Sequence, residues 1–149
     1  MRLKPEGSEH MSTYEVAVKW IDNLRYVASS GSGHAIVLDV PAKSGGNDSG
    51  MHATELLLIA VGKCTAVDVV RILTKQKKEI RSLEVIVTGD ISAEYPKFYE
   101  KIHIKYRISG DGLTMEQVQK AVDLSHGKYC TVSNSLTDRC EQTLSIEII

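Results

Sequence analysis

The sequence predicts an α+β fold in which antiparallel sheets pack on a long central helix. Alternating apolar and polar residues on both sides of the chain's middle are typical of half-buried antiparallel strands. Between these strands, Met51–Lys78 forms one long helical stretch. Within it, the clearly polar residues of Leu56–Val70 are Lys63, Thr65 and Asp68. A helix that is apolar on most of its circumference has to be buried.

Three strands are predicted before the helix. Residues Tyr14–Ile21 alternate in polarity, and Asp22 with Asn23 then supplies turn chemistry. Second and third strands are predicted at Leu24–Ser29 and His34–Val40, which would complete an antiparallel meander. A loop rich in Gly, Ser and Asn leads from there into the helix.

Three further strands are predicted after the helix. Leu83–Thr88 and Lys101–Ile108 alternate in polarity and predict a second antiparallel pair, whose wet face carries a row of basic residues. A loop around Pro96 joins them, and Leu144–Ile148 predicts a last strand.

Two shorter helices are predicted between these strands. Thr114 and Gln117 have the spacing of a capping box, which predicts a helix from Thr114 to about His126 with Gly127 as its stop. A second short helix is predicted to open near Cys130.

Composition narrows the class of protein. The 149 residues suffice for one domain, predicted over residues 14–149, with residues 1–13 as a disordered tail. Basic residues (18) nearly balance acidic ones (19), so no nucleic-acid partner is expected. The longest apolar run is Leu56–Gly62, too short to cross a membrane. We expect no membrane association and a cytoplasmic location.

The central helix also bears on assembly. One sheet of a small domain covers a helix from one side, whereas this helix is apolar on nearly all sides. A second copy of the chain could cover the rest, so the sequence predicts an obligate homodimer.

Three cysteines, Cys64, Cys130 and Cys140, form no CxxC pair and suit a reducing compartment. Its local surroundings favour a lowered pKa at Cys130 more than at Cys64, because Cys130 lies near Lys128 at the start of a predicted helix. Cys64 is either a core residue or the centre of a site. Cys140 is predicted to pack in the core. The histidines share no ligand spacing, so no metal site is expected. No cofactor is expected either.

Four stretches together carry a family resemblance: Thr54–Leu58, Gly62–Ala66, Val67–Val70 and Cys130–Ser133. They resemble the osmotically inducible protein C and organic hydroperoxide resistance (OsmC/Ohr) family, most nearly its YhfA-like branch. The likeness extends over residues 14–149.

The resemblance implies an OsmC-like fold in an intertwined homodimer with two sites at the subunit interface. It implies that Cys64 attacks an organic hydroperoxide and becomes a sulfenic acid, which Cys130 converts to a disulfide. A dithiol, such as a lipoylated protein, would then reduce the disulfide. This order reverses the local ranking of the two cysteines, and we follow the family for it.

The resemblance also suggests residues that would assist ionisation of the Cys64 thiol. Family peroxidases carry a glutamate ten residues before the attacking cysteine, where this chain has Thr54; Glu55 lies nine before. Nine residues make about two and a half helical turns, so Glu55 would point away from Cys64. Glu55 would then act in the site of the partner subunit, or its negative charge would stabilise the N-terminus of the helix. Arg25 is the candidate arginine, with an exposed strand residue as the alternative.

Two function classes remain open at this point. The first is a peroxidase for oxidative stress defence, with an apolar substrate pocket lined by Leu57, Ala60 and Val61 beside Cys64. The second is a noncatalytic or weakly active dimeric binding module that keeps the same fold.

Overall fold

The computed structural model describes residues 12–149. It divides into two units, Met1–Ala53 and Thr54–Ile149, and each is described by itself. Of the tail predicted over residues 1–13, residues 1–11 lie outside the described part of the chain.

The first unit is an antiparallel sheet of three strands in the order β1-β2-β3. The strands are β1 (Val16–Asp22), β2 (Arg25–Ser30) and β3 (Ala35–Leu38). The third strand is shorter than predicted. It ends before Asp39, whose carboxylate accepts the backbone N–H groups of Val40, Asn47 and Ser49 and so organises the following loop instead of the ladder.

The second unit contains the long helix, three more strands and two short helices, in the predicted order. Its elements are α1 (Ala53–Lys75), β4 (Glu79–Ile91), β5 (Tyr99–Asp111), α2 (Met115–Leu124), α3 (Thr131–Ser135) and β6 (Glu141–Ile148). The helix predicted over Met51–Lys78 is therefore a few residues too long at its C-terminal end. Lys77 has a left-handed φ of 57°, a conformation that ends helices.

The core of the second unit lies between its sheet and its helices. From Ile102 to Ile108, every second residue of β5 faces inward and is fully buried, as the alternating pattern predicts. Residues of α1 and α2 cover this face. The fully buried members of the core are Val61, Val69, Leu73, Ile102, Ile104, Tyr106, Ile108, Val118, Ala121 and Val122.

The second sheet differs from the antiparallel expectation at its last strand. Strand β4 pairs with β5 antiparallel, whereas β6 pairs with β5 in parallel, with Lys101 opposite Glu141. Two helices intervene between β5 and β6, and such a crossover returns the chain to the end where β5 began.

The capping box of α2 is confirmed, since the side chains of Thr114 and Gln117 each accept the other's backbone N–H. The predicted stop at Gly127 is wrong. The chain continues through Gly127 as a π-helical turn, Ser125–Tyr129, and leaves helical geometry at Cys130. Half-buried Cys140 precedes β6 and packs against the core, as expected.

Candidate functional site

The structure brings the side chains of Cys64 and Cys130 together. Cys64 is half-buried near the middle of α1, and Cys130 is fully buried just before α3. Burial raises the pKa of the Cys130 thiol, and the neighbouring Cys64 raises it further through a hydrogen bond and its charge. Folding therefore places two thiols from distant parts of the chain in direct interaction.

Backbone contacts fix the position of Cys130. Its N–H donates to the carbonyl oxygen of Ser125 at 2.7 Å, which closes the π-helical turn. Its own carbonyl oxygen accepts the side-chain amide of Asn134 at 2.9 Å. As the N-cap of α3, its sulfur accepts the backbone N–H of Ser133 at 3.4 Å. These contacts hold the sulfur in one orientation.

The local argument for a lowered pKa at Cys130 is wrong. The helix-end effect exists, because the N–H of Ser133 favours the thiolate. The hydroxyl of Ser133 acts in the same sense, although among the described residues it completes no hydrogen bond of good geometry. Burial outweighs both effects, and burial is set by tertiary packing that the sequence did not reveal.

A chain of buried hydroxyl groups lies beside the two thiols. The phenol of Tyr106 is 2.6 Å from the hydroxyl of Thr65, which is 2.9 Å from the hydroxyl of Ser125. Ser125 in turn donates to a carboxylate oxygen of Asp68 at 3.1 Å. Tyr106, Thr65 and Ser125 each have no exposed surface.

Sequence reasoning missed this chain of hydroxyls, although it left two signals. Thr65 is a polar residue next to Cys64 in an otherwise apolar helical stretch. Tyr106 alternates with isoleucines on the buried face of β5, and a buried phenol needs a hydrogen-bond partner. Burial raises the pKa of Tyr106 to about 12, with smaller contributions from the nearby Cys130 and Asp68.

The two predicted helpers of Cys64 lie in different units. Glu55 is in the first turn of α1, where a carboxylate favours the positive end of the helix dipole. Arg25 begins β2 in the first unit, is half-buried and pairs with Asp22 of the same hairpin. A role for Glu55 or Arg25 at the thiols stays a prediction.

The predicted pocket residues lie on the helix turns before Cys64. Leu57 and Ala60 are partly buried, and Val61 has no exposed surface. An open groove of about 340 Å³ runs between α1 and β4 on a neighbouring face of the helix. Its lining is Leu58, Ile59, Gly62, Lys63, Ala66, Leu83, Val85 and Val87. The substrate-binding role of Leu57, Ala60 and Val61 stays a prediction.

A family model described as OsmC-like protein matches residues 45–145 of this chain. The chain belongs to the OsmC-like family. It is 35% identical over 135 residues to Protein YhfA of Escherichia coli K12, an alignment that covers 91% of this chain and 98% of YhfA. The resemblance inferred from the residues around the two cysteines is therefore confirmed.

Solved structures share the fold of this chain. A hypothetical protein from Aquifex aeolicus VF5 superimposes with a TM-score of 0.82 at 29% identity, covering 93% of this chain and 98% of that one. An organic hydroperoxide resistance protein from Elizabethkingia anophelis superimposes with a TM-score of 0.73 at 17% identity, covering 95% and 100%. At that identity the second match shows the shared fold.

None of the helices in residues 12–149 has the length and apolar character that spanning a bilayer requires. Within the same residues, His, Cys, Asp and Glu side chains form no group of three or more able to hold a metal ion.

Proposed function

We propose that this chain is a cysteine-dependent peroxidase that reduces organic hydroperoxides in oxidative stress defence. The observation that supports it most is the direct interaction of the Cys64 and Cys130 thiols inside one OsmC-like unit. Paired thiols of this kind can pass between a reduced state and a disulfide without other cofactors. The name of the Elizabethkingia anophelis protein points to the same substrate class.

In the first step the Cys64 thiolate attacks the terminal oxygen of the hydroperoxide. A sulfur–oxygen bond forms, the oxygen–oxygen bond breaks, and the alkoxide leaves with a proton as an alcohol. Cys64 is thereby oxidised to a sulfenic acid. A positive charge close to Cys64 would favour this thiolate.

In the second step the sulfur of Cys130 attacks the sulfenic sulfur of Cys64. A disulfide forms, the sulfur–oxygen bond breaks, and the released hydroxide combines with the thiol proton of Cys130 to give water. A dithiol reductant, such as a lipoylated protein, then restores both thiols by exchange.

Burial supports this order of roles. Cys64 is half-buried and retains access to solvent, whereas Cys130 is fully buried and its pKa is raised. An incoming hydroperoxide therefore meets Cys64 first. Cys130 is mostly protonated at neutral pH, which makes it the poorer nucleophile for the first step.

We further propose that the active form is a homodimer. Helix α1 leaves Ile59 50% exposed and Val70 39% exposed. Large apolar side chains exposed on a central helix favour a second subunit as their cover. An apolar pocket lined by Leu57, Ala60 and Val61 would then accept the organic part of the substrate.

The test is a thiol count after one equivalent of cumene hydroperoxide. Wild type should lose two thiols per chain and form a Cys64–Cys130 disulfide, identified by peptide mass spectrometry. Cys64→Ser should abolish peroxide consumption, whereas Cys130→Ser should stop at a sulfenic acid that dimedone traps. Cys140→Ser is the matched control and should behave as wild type.

Two results would contradict the proposal. Equal consumption by Cys64→Ser and wild type would remove the mechanism. Unchanged thiols in wild type would favour the noncatalytic binding module instead.

A further inference from the structure

We infer that Tyr106, Thr65 and Ser125 are positioning residues for disulfide formation, because their hydroxyl chain fixes Cys130 against Cys64. This inference rests on the proposed function for its biological meaning. It concerns residues that lie behind the two thiols and do not touch the peroxide.

The hydrogen-bond chain has one direction. The hydroxyl of Ser125 faces two groups that can only accept, the carboxylate of Asp68 at 3.1 Å and the carbonyl oxygen of Thr65 at 3.3 Å, so its single proton is donated to one of these two. The oxygen of Ser125 then accepts the proton of Thr65, and the oxygen of Thr65 accepts the proton of Tyr106. Hydroxyl chains that are ordered in this way strengthen one another in a buried environment.

Ser125 joins the two cysteine-bearing segments. Its hydroxyl bonds to Thr65 and Asp68, which lie in α1 immediately after and one turn after Cys64. Its backbone carbonyl accepts the N–H of Cys130 at 2.7 Å. One buried residue therefore links the helix of the first thiol to the backbone of the second.

The link through Ser125 is important because it anchors the π-helical turn that leads to Cys130. Such turns are rare and are frequently found at functional sites. Here the turn spans Ser125–Tyr129 and delivers Cys130 to its place. The side-chain contacts of Ser125 anchor the beginning of the turn, and loss of that anchor would let the sulfur of Cys130 move away from Cys64.

The hydroxyl chain takes up no proton during closure. The proton of the Cys130 thiol goes to the hydroxide released from Cys64, and Tyr106 keeps its own proton at neutral pH. Its contribution is therefore geometric. Misplacement of reacting groups by about 1 Å can slow a step about a hundredfold, so closure should respond strongly.

The test compares Thr65→Val with Thr65→Ser in a Cys140→Ser background. Valine keeps the branched shape of threonine and removes the hydroxyl, whereas serine keeps the hydroxyl. Formation of the disulfide from the Cys64 sulfenic acid should slow about tenfold or more in Thr65→Val. Competition with dimedone, which traps the sulfenic acid, measures this rate. Thr65→Ser should close at nearly the wild-type rate.

Tyr106→Phe provides a second variant that removes one oxygen atom. It should also slow closure, while the initial oxidation of Cys64 keeps its rate in every variant. Thermal unfolding checks that each variant folds. If Thr65→Val does not fold, Tyr106→Phe provides the test in its place. Closure at the wild-type rate in a folded Thr65→Val or Tyr106→Phe variant would overturn the inference.

A measurement without peroxide separates this inference from the proposed function. Diamide oxidises neighbouring thiols directly, and dithiothreitol buffers then report the stability of the Cys64–Cys130 disulfide. Thr65→Val should lower the equilibrium constant for this disulfide about tenfold, with Thr65→Ser unchanged. Failure of wild type to consume peroxide would count against the proposed function, whereas an unchanged equilibrium constant would count against the positioning role.

Discussion

The carboxylate of Asp39 accepts two hydrogen bonds from Ser49, one from the backbone N–H at 3.0 Å and one from the hydroxyl at 2.7 Å. The N–H groups of Val40 and Asn47 donate to the same carboxylate. Asp39 is 3% exposed. The hydrogen bonds from Ser49, then those from Val40 and Asn47, lower its pKa from 3.8 to about 2.

The first prediction is that Asp39→Asn destabilises the first unit in a pH-dependent way. A carboxyl group whose pKa is lowered on folding stabilises the folded state above its unfolded pKa. That contribution disappears as the pH falls from about 3.8 toward 2. Wild type should therefore be more stable than Asp39→Asn at neutral pH, and the difference should shrink over this acidic range.

Urea unfolding followed by the fluorescence of Trp20 measures this difference, because Trp20 is the single tryptophan and lies in β1. The control is Asp138→Asn, which changes an exposed carboxylate in a turn before β6. A stability difference between wild type and Asp39→Asn that is constant from pH 6 to about pH 2 would contradict the prediction.

The second prediction concerns the close approach of α1 to β4 at Gly62. A Cβ atom at this position would lie 2.9 Å from a methyl carbon of Val87. Val87 is stiff because it is β-branched, so the helix or strand would have to shift. Overpacking costs about 1–3 kcal/mol, and the better helix propensity of alanine returns about 1 kcal/mol. Gly62→Ala should therefore lower the free energy of unfolding.

Gly127→Ala is the matched control, since a Cβ atom there meets nothing within 4 Å. It should be neutral or stabilising by up to about 1 kcal/mol. Adding Val87→Ala to Gly62→Ala should relieve the clash in part. Equal urea midpoints for Gly62→Ala and wild type would show that the contact with Val87 yields easily.

Local patterns in the sequence predicted much of this fold because they report local physics. The alternation around Ile102, Ile104 and Tyr106 marks one buried face of a strand, and that face is fully buried. Thr114 and Gln117 form the capping box that their spacing predicts. Family resemblance added what local patterns lack, namely the expectation that Cys64 and Cys130 act together.

Local sequence patterns could not predict the features that depend on tertiary structure. The burial of Cys130 depends on how the turn after α2 packs, and no local pattern reports it. The parallel pairing of β6 depends on the path of two intervening helices. The hydroxyl chain joins Thr65, Tyr106 and Ser125 across three elements, so proximity in the sequence could not reveal it.

The third prediction concerns assembly through the first unit. Val16, Val18 and Trp20 lie on one side of β1 and are 60–69% exposed. If a second copy covers this side, Val18→Lys should weaken the dimer about tenfold or more, because burial of one valine contributes about 1.5–3 kcal/mol. Sedimentation velocity over a concentration series measures the shift.

Lys19→Ala is the control for assembly, because Lys19 lies on the opposite side of the same strand. It should leave the association constant close to wild type. Wild type that sediments as a folded monomer at micromolar concentration would remove the dimer proposal itself.

The fourth prediction is that disulfide closure accelerates with pH through the neutral range. The attacking form of Cys130 is its thiolate, and burial raises the pKa of this thiol above its ordinary value. Below that pKa, each pH unit raises the thiolate fraction about tenfold. After oxidation of Cys64, the rate of disulfide closure should therefore rise about tenfold per pH unit between about pH 6 and pH 8. Quenched-flow experiments with acid as the quencher measure this rate.

A variant that relieves burial would shift this profile in a known direction. Val132 is half-buried, packs against the core and lies two residues after Cys130, so Val132→Ala should admit water near the thiol. Easier solvation of the thiolate lowers the pKa of Cys130, and the closure rate should level off at a lower pH than in wild type. A closure rate independent of pH in wild type would mean that ionisation of Cys130 does not control the step.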